Sequence, residues 1–445
     1  MKKVLQSLAS IRVCSRFLLS CLLVGFVFAP ATVLYAQELT AGAARFDITP
    51  DLALSNWITH KPYGEMLEPV FVRAIVLGQG EKRVACVSWE LLYPMEGAVA
   101  KVRKAIAAQT GIPESDIMVT ATHNHSAPWS PIFGDPLTLA ERKVLQSFLS
   151  DANYPAWADK VVNLTVKAVK QADDSRRPAR LSIARAYVGD VMFNRRPIRP
   201  NGSVETMTTS SDPFVMPHAL RYGRTDPTMT VLFLRDAKNQ TIASLFQMAC
   251  HGVVVYPAYD GLSADWPGAV CAALQKELGG EAIFLQGCAG DTNPLQRGKA
   301  ARDQIATVVS ARAIKASKVS EPLVTTNGFS IRHTVVKAPV KEEIRAEMGR
   351  EYLPAEVQVL TCGDLAIVAL PGEPLIALAL AIQERSPFPH TIVLGYSNGY
   401  GVQYVGMPGD QGRGGYEMGD RCLGTDACGQ MLVDAAVQLL QDKRQ

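Results

Sequence analysis

The chain has 445 residues, 48% of them hydrophobic and 20% charged, with a formal net charge of +3 that includes a basic amino terminus. This composition supports a sizeable buried core and excludes a disordered or low-complexity chain. The near-neutral balance offers nothing to nucleic acid or to an anionic membrane surface.

Residues 1–36 read as a secretory signal peptide. Lys2, Lys3, Arg12 and Arg16 form a basic start, Phe17–Phe28 is an apolar stretch of 12 residues, and the small residues Ala31 and Ala36 suit cleavage. The stretch falls short of the roughly 20 residues that a membrane helix needs. Leu18-Leu-Ser-Cys21 faintly resembles a lipoprotein cleavage box, but the apolar run continues past Cys21. The expectation is a secreted or periplasmic protein without a membrane anchor once the leader is removed.

Residues 37–445 show no composition break and no internal repeat, and read as one domain. A short strand at Ala44–Pro50 is followed by strands at Val70–Leu77 and Val84–Trp89, a helix at Gly97–Gln109, and an apolar strand running into His123 and His125. A helix at Tyr154–Ala172 has apolar residues three and four apart. Strands follow at Arg180–Val188, Thr228–Phe233 and Thr241–Ala249, with a long Pro-, Gly- and Arg-rich loop over 197–226. Then come a helix at Pro267–Leu278, a strand at Ala282–Gln286, a helix at Ala300–Lys318, two strands within Glu356–Leu370, a helix at Glu373–Gln383, a strand at Thr391–Leu394 and a helix at Ala427–Gln441. Strands alternating with helices predict an α/β fold with mixed β-sheets flanked by helices. Cys86, Cys250, Cys271, Cys288 and Cys362 read as small buried residues, whereas Cys422 and Cys428 in a Gly-rich loop have the spacing of a local disulfide.

The candidate chemistry sits where strands end. His123 and His125, two of only 7 histidines, point to one face if the backbone stays extended. His251 closes the strand Phe246–Cys250, and Glu373 follows a strand and a Pro-Gly turn. Asp291-Thr-Asn-Pro294 and Gly395–Tyr404 are loops after strands, the positions where open α/β sheets build sites. Each has a plainer reading: a solvated strand end for the pair, a core histidine for His251, a helix-terminus charge for Glu373, a core or rim aromatic for Tyr404. Together, two histidines and a carboxylate are a common ligand set for catalytic zinc.

The strings Asp47-Ile-Thr-Pro, Ala121-Thr-His-Asn-His-Ser, Ala249-Cys-His-Gly, Ser263-Ala-Asp-Trp-Pro-Gly, Gln286-Gly-Cys-Ala-Gly-Asp-Thr-Asn-Pro, Leu370-Pro-Gly-Glu-Pro and Gly414-Gly-Tyr-Glu occur in that order. In order and spacing they resemble the neutral (non-lysosomal) ceramidase family, secreted zinc amidases that cut the amide bond of N-acyl sphingoid lipids. The resemblance implies one zinc ion held by His123, His251, Glu373 and Tyr404, the last found twelve residues before Tyr416 as the family pattern requires. It also implies a substrate-contacting His125, an active-site Arg195 and a substrate-side Tyr416. Zinc would polarise the amide carbonyl and lower the pKa of bound water to roughly 7, with His125 and Arg195 on the developing oxyanion or His125 protonating the leaving amine.

Two departures qualify the resemblance. Asn293 stands where the family has an active-site serine, which excludes a covalent acyl-serine route there. The family's added C-terminal β-sandwich is also missing from the pattern. The expected activity is therefore zinc-dependent cleavage of an N-acyl amide, a ceramide-like lipid or another small-molecule substrate. The alternatives are a zinc hydrolase of an ester or sugar-linked amide, with the basic run Asn194–Arg199 binding an anionic or sugar-like group, and a non-catalytic zinc-binding paralogue. A metallo-β-lactamase-like site is set aside because Ala127 and Pro128 stand where Asp and His would follow. A serine hydrolase is disfavoured as well.

Overall fold

Three β-sheets, each with one parallel strand pair, face one another across an apolar interior. The computed structural model describes residues 38–207, 219–325 and 328–442. The expected signal peptide and the middle of the 197–226 loop lie outside these residues.

The first sheet has the order Ile117–Ala121, Lys82–Trp89, Phe71–Gln79, Leu39–Asp47, Arg177–Pro178. The second runs Glu281–Gln286, Thr241–Met248, Thr228–Arg235, Arg180–Tyr187, Glu321–Pro322, and the third Phe329–Pro339, Tyr352–Cys362, Leu365–Ala369, His390–Leu394. The parallel pairs are Lys82–Trp89 with Ile117–Ala121, Thr241–Met248 with Glu281–Gln286, and Leu365–Ala369 with His390–Leu394. Parallel strands need a crossover, and the helices Glu96–Thr110, Asp265–Leu278 and Ile376–Arg385 supply one for each pair. The fold is thus the expected α/β arrangement of mixed sheets and flanking helices, built on three βαβ units. Ile75, Val84, Met118, Leu232, Leu245, Leu285, Leu365 and Ile367 fill the space between sheets. The cavity left there is about 40 Å³ and lined by apolar side chains and thiols, far too small for an acyl chain.

Several expectations change. The helix expected from Glu373 begins only at Ile376, because Glu373-Pro374 pairs in parallel with Tyr404-Val405. The Asp291 carboxylate accepts the Ile376 N–H at 2.8 Å and so caps that helix. Several elements were not anticipated, two of them 11 residues long. The helix Leu139–Leu149 starts on a Thr138/Glu141 capping box, a signal present in the sequence. The strand Phe329–Pro339, one arm of an 11-residue antiparallel pair, is interrupted by Arg332, His333 and Lys337 because one of its faces is partly exposed. Cys422 and Cys428 are not joined, and all seven described cysteines are free. The Cys428 thiol opens the last helix and turns to the Pro339 carbonyl at 3.3 Å, while Cys422 faces Gly424.

One buried ion pair anchors the end of strand Lys82–Trp89. Glu90, 1% exposed, accepts the Arg73 Nε–H at 2.7 Å and the Phe71 N–H at 2.8 Å. Removing one partner of such a pair leaves a buried charge uncompensated. Arg73→Met is therefore expected to lower unfolding free energy by about 3–5 kcal/mol in a urea titration, and a loss near zero would show that Glu90 finds another partner.

Candidate active site

The six strands of the three parallel pairs all end on one side, and each hands over to a segment of the site. Trp89 leads to Leu92 and Tyr93, Ala121 to His123 and His125, and Met248 to His251. Gln286 leads to Asn293, Ala369 to Glu373, and Leu394 to Tyr396 and Tyr404. Sites at carboxyl ends of parallel strands are the general expectation for such sheets.

The histidine pair converges by a route other than the expected one. The strand stops at Ala121, and His123 turns into the left-handed region with φ 57°. An extended-strand alternation therefore does not explain why the rings meet. They meet because the loop is clamped on both sides. Thr122 and Asn124 donate to the Trp89 and Leu91 carbonyls at 2.9 and 3.2 Å, and His125 N–H donates to Gly252 at 3.0 Å. Gly252 is needed there, since a Cβ would lie 2.8 Å from the His123 carbonyl oxygen. His123 Nε2 and His125 Nε2 end 3.1 Å apart.

Two of the rings have their tautomer set. His123 Nδ1 lies 3.2 Å from the Leu92 carbonyl, and His251 Nδ1 lies 2.6 Å from that of Ala289. A carbonyl only accepts, so each Nδ1 carries the hydrogen and each Nε2 keeps its lone pair. Those lone pairs face the Glu373 Oε2 atom at 3.0 and 3.4 Å. The other oxygen, Oε1, accepts the Tyr93 hydroxyl. Burial, reinforced by Arg195, pushes His251 down to about 3, and burial beside two other imidazoles keeps His125 well below the ordinary imidazole value.

A second group packs beside the first. Arg195 Nη2 donates to the Tyr404 phenol oxygen at 2.8 Å and to the Gly290 carbonyl at 2.7 Å, and Nη1 donates to Asn293 Oδ1 at 3.3 Å. Its Nε lies 2.7 Å from Glu417 Oε1. Burial raises the Tyr404 phenol well above its ordinary value, and the Arg195 charge opposes that rise. Tyr416, 53% exposed, sets its ring edge-on to Tyr404 at 5.9 Å and under the Arg195 guanidinium. The expected anion-binding run Asn194–Arg199 is not a free basic surface. Arg195 and Arg196 are both buried against Glu417, and Arg199 pairs with Glu205. Trp57 and Tyr256 flank His125 at ring separations of 5.9 and 5.7 Å.

All eight residues singled out in the sequence therefore fall in one neighbourhood. Tyr93, Glu417 and Tyr396, the last stacked on His123 at 4.2 Å, were not singled out. Tyr93 had a readable signal, since it lies in a loop leaving a strand end. Glu417 sits inside a quoted string, but its burial depends on Arg195 and Arg196 and is invisible locally. Gly395-Tyr-Ser-Asn-Gly399 does have the spacing of a serine-hydrolase elbow. Ser397 is nevertheless fully buried and donates to the Gly395 carbonyl at 2.7 Å, so it is not an exposed nucleophile.

The donor set fits a divalent cation. One ring nitrogen from each of His123, His125 and His251 lies within 4.8 Å of the others. Among the described residues, Glu373 Oε2 and His251 Nε2 are buried with no hydrogen-bond partner. Acceptors left unpaired and facing each other repel, and a cation removes both problems at once.

The His251 loop is held from behind by Asp265, whose carboxylate accepts the Val254, Val255 and Trp266 N–H groups at 3.2, 3.0 and 2.6 Å. Trp266 Nε1 in turn donates to the His251 carbonyl at 3.0 Å. Burial pushes the Asp265 carboxyl up from 3.8 to about 6. A folded-state value above the unfolded one means that the folded chain holds the proton to higher pH, so this contribution is full below about 4 and lost as pH rises through about 6. The unfolding free energy of wild type minus that of Asp265→Asn should accordingly fall between pH 4 and 6 in denaturant titrations, and a difference rising with pH would contradict the burial argument.

A family described as neutral/alkaline non-lysosomal ceramidase, N-terminal, matches residues 59–325, a span containing His123, His125, Arg195, His251 and Asn293. Among solved structures, the neutral ceramidase from Pseudomonas aeruginosa superposes with a TM-score of 0.73 at 17% identity, covering 91% of this chain and 75% of that one. A ceramidase complexed with C2 gives a TM-score of 0.71 at 17% identity, with the same coverage. At that identity the superpositions speak for the fold, and they extend it past residue 325 to the strands that carry Glu373 and Tyr404. By its sequence over more than half its length, the chain belongs to the neutral/alkaline non-lysosomal ceramidase family.

Proposed function

We propose that this protein is a zinc-dependent amidohydrolase that cleaves an N-acyl amide bond and works outside the cytoplasm after removal of residues 1–36. One observation carries the metal part: a buried carboxylate oxygen with no hydrogen-bond partner among the described residues, faced by two imidazole nitrogens whose tautomers are preset for metal binding. Family membership supports amide hydrolysis, and the solved relative named as a neutral ceramidase makes a ceramide-like lipid one candidate substrate. Among the described residues no helix is long and apolar enough to cross a membrane.

His123, His251, Glu373 and Tyr404 would hold the metal. When bound, zinc supplies Lewis-acid polarisation of a carbonyl and acidification of water to a pKa of roughly 7. The chain's own groups then divide the remaining work. Glu373 brings one negative charge to the site and fixes it between the rings. Arg195 holds the Tyr404 oxygen and the Asn293 amide in place, and its charge favours a phenolate at Tyr404. That leaves little of Arg195 for an oxyanion. His125, kept neutral by burial, faces the cluster with Nε2 and can first take up the proton that the attacking water gives away and then pass it to the leaving amine. Tyr416, half-exposed at the rim, is placed to touch substrate. Asn293 can hydrogen-bond but cannot form an alkoxide.

Purified protein should contain about one zinc per chain, with the metal and amide hydrolysis lost together in His123→Ala and Glu373→Ala. Metal-free protein of full activity, indifferent to chelators, would refute the proposal. A panel of N-acyl amines with matched esters, read as released amine or alcohol, tests the bond and the substrate. Amides should be cleaved, and turnover of short-chain amides without turnover of ceramides would dismiss the lipid candidate. Asn293→Ser should keep amidase activity within about tenfold, a change of one ordinary hydrogen bond. Amino-terminal sequencing of protein recovered from outside the cytoplasm should begin near Gln37, and a start at Met1 would remove the signal-peptide reading.

A further inference from the structure

We propose that Tyr93 is a positioning residue of the metal centre, holding Glu373 so that it offers one carboxylate oxygen to the ion and withholds the other. This inference rests on the metal reading above. A carboxylate can bind a cation through one oxygen or both, and an unrestrained Glu373 would be free to rotate between these modes. In the structure the choice is already made. Oε1 is occupied by the Tyr93 hydroxyl, and the hydrogen can only come from the phenol because an ionised carboxylate has none to give. Oε2 is left facing His123 and His251 without a hydrogen-bond partner among the described residues.

Tyr93 is itself fixed. Its ring stands edge-on to Tyr400 at 4.8 Å and to His123 at 5.2 Å, and tilted against Trp129 at 5.1 Å. Tyr400 is bonded through its hydroxyl to Glu141, in the capping box of helix Leu139–Leu149. Tyr93 N–H donates to the Trp129 carbonyl at 3.0 Å, tying the segment to the loop of His123 and His125. The residue before it, Leu92, gives its carbonyl to His123 Nδ1. Two consecutive residues therefore set the tautomer of one metal donor and the free oxygen of another. At 2% exposure Tyr93 cannot contact substrate, so its influence must pass through Glu373.

Tyr93→Phe removes one oxygen and keeps the ring packing. Titration of metal-free protein with zinc against a chelating indicator should show affinity reduced by about 10- to 100-fold, as for other partners of metal-binding side chains. The melting midpoint of the metal-free variant should stay within about 5 °C of wild type. Zinc affinity equal to wild type would overturn the proposal, and so would a weakened affinity matched by a collapse of metal-free stability. A second measurement does not depend on the variant. A crystal structure of the zinc-loaded wild-type protein should show Glu373 bound through Oε2 alone, with Oε1 on the Tyr93 hydroxyl, and both oxygens on the ion would overturn the assignment. Wild-type protein that binds no zinc would instead refute the metal reading and this inference with it.

Discussion

Glu373 brings a negative charge to a position where its side chain is almost wholly buried, and much of the surrounding structure answers that one constraint. A buried carboxylate is tolerable only when it is paired and hydrogen-bonded. One of its oxygens is satisfied by Tyr93, and the other is met by two imidazoles whose hydrogens point away, toward the Leu92 and Ala289 carbonyls. Within the chain alone the arrangement is incomplete, because acceptors face acceptors. A divalent cation would complete it. On the proposed reading the site is a binding geometry for a metal before it is a geometry for any substrate.

The fold makes this possible by repetition. Three βαβ units contribute one parallel pair each, and all six strand ends open on the same side. The loops that leave these strands are then held edge to edge by a few backbone contacts. Glu373 and Tyr404 are directly opposite in a two-residue parallel ladder. Asn293 lies opposite Phe193, two residues before Arg195, in an antiparallel one. Small ladders of this kind fix side chains more tightly than free loops would, which suits a centre whose donors must converge to within a few tenths of an ångström. The buried Arg195–Glu417–Arg196 cluster lies behind Tyr404 and turns what reads as a basic loop into part of the interior.

Much of this was legible in the residues, though not always for the right reason. His251 and Glu373 could be placed at the site because an apolar run ending in glycine or Pro-Gly marks a strand end, and strand ends are where such folds do chemistry. His123 and His125 were rightly paired, but through strand alternation, whereas the structure uses a left-handed turn at His123 and the close approach of Gly252. The run Asn194-Arg-Arg-Pro-Ile-Arg199 was misread because charge in a sequence suggests a solvated surface, and nothing local shows that Glu417, more than two hundred residues away, meets Arg195 and Arg196. Tyr93 also follows a strand end, a signal the sequence does carry, but an ambiguous one. A tyrosine after a strand is ordinarily core, and only the three-dimensional position of Glu373 gives its hydroxyl a purpose. The spacing of Cys422 and Cys428 suggested a bond, whereas both thiols are free and each lies against a carbonyl.

The central claim is that the chain's acidic and imidazole donors exist to hold one metal ion on which amide cleavage depends. Stepwise return of zinc to chelator-stripped protein, with released amine measured from a short-chain N-acyl amine at each step, tests it most directly. The account predicts negligible release at the start and a linear rise that levels off at about one zinc per chain. Full amine release before any zinc is added would contradict it.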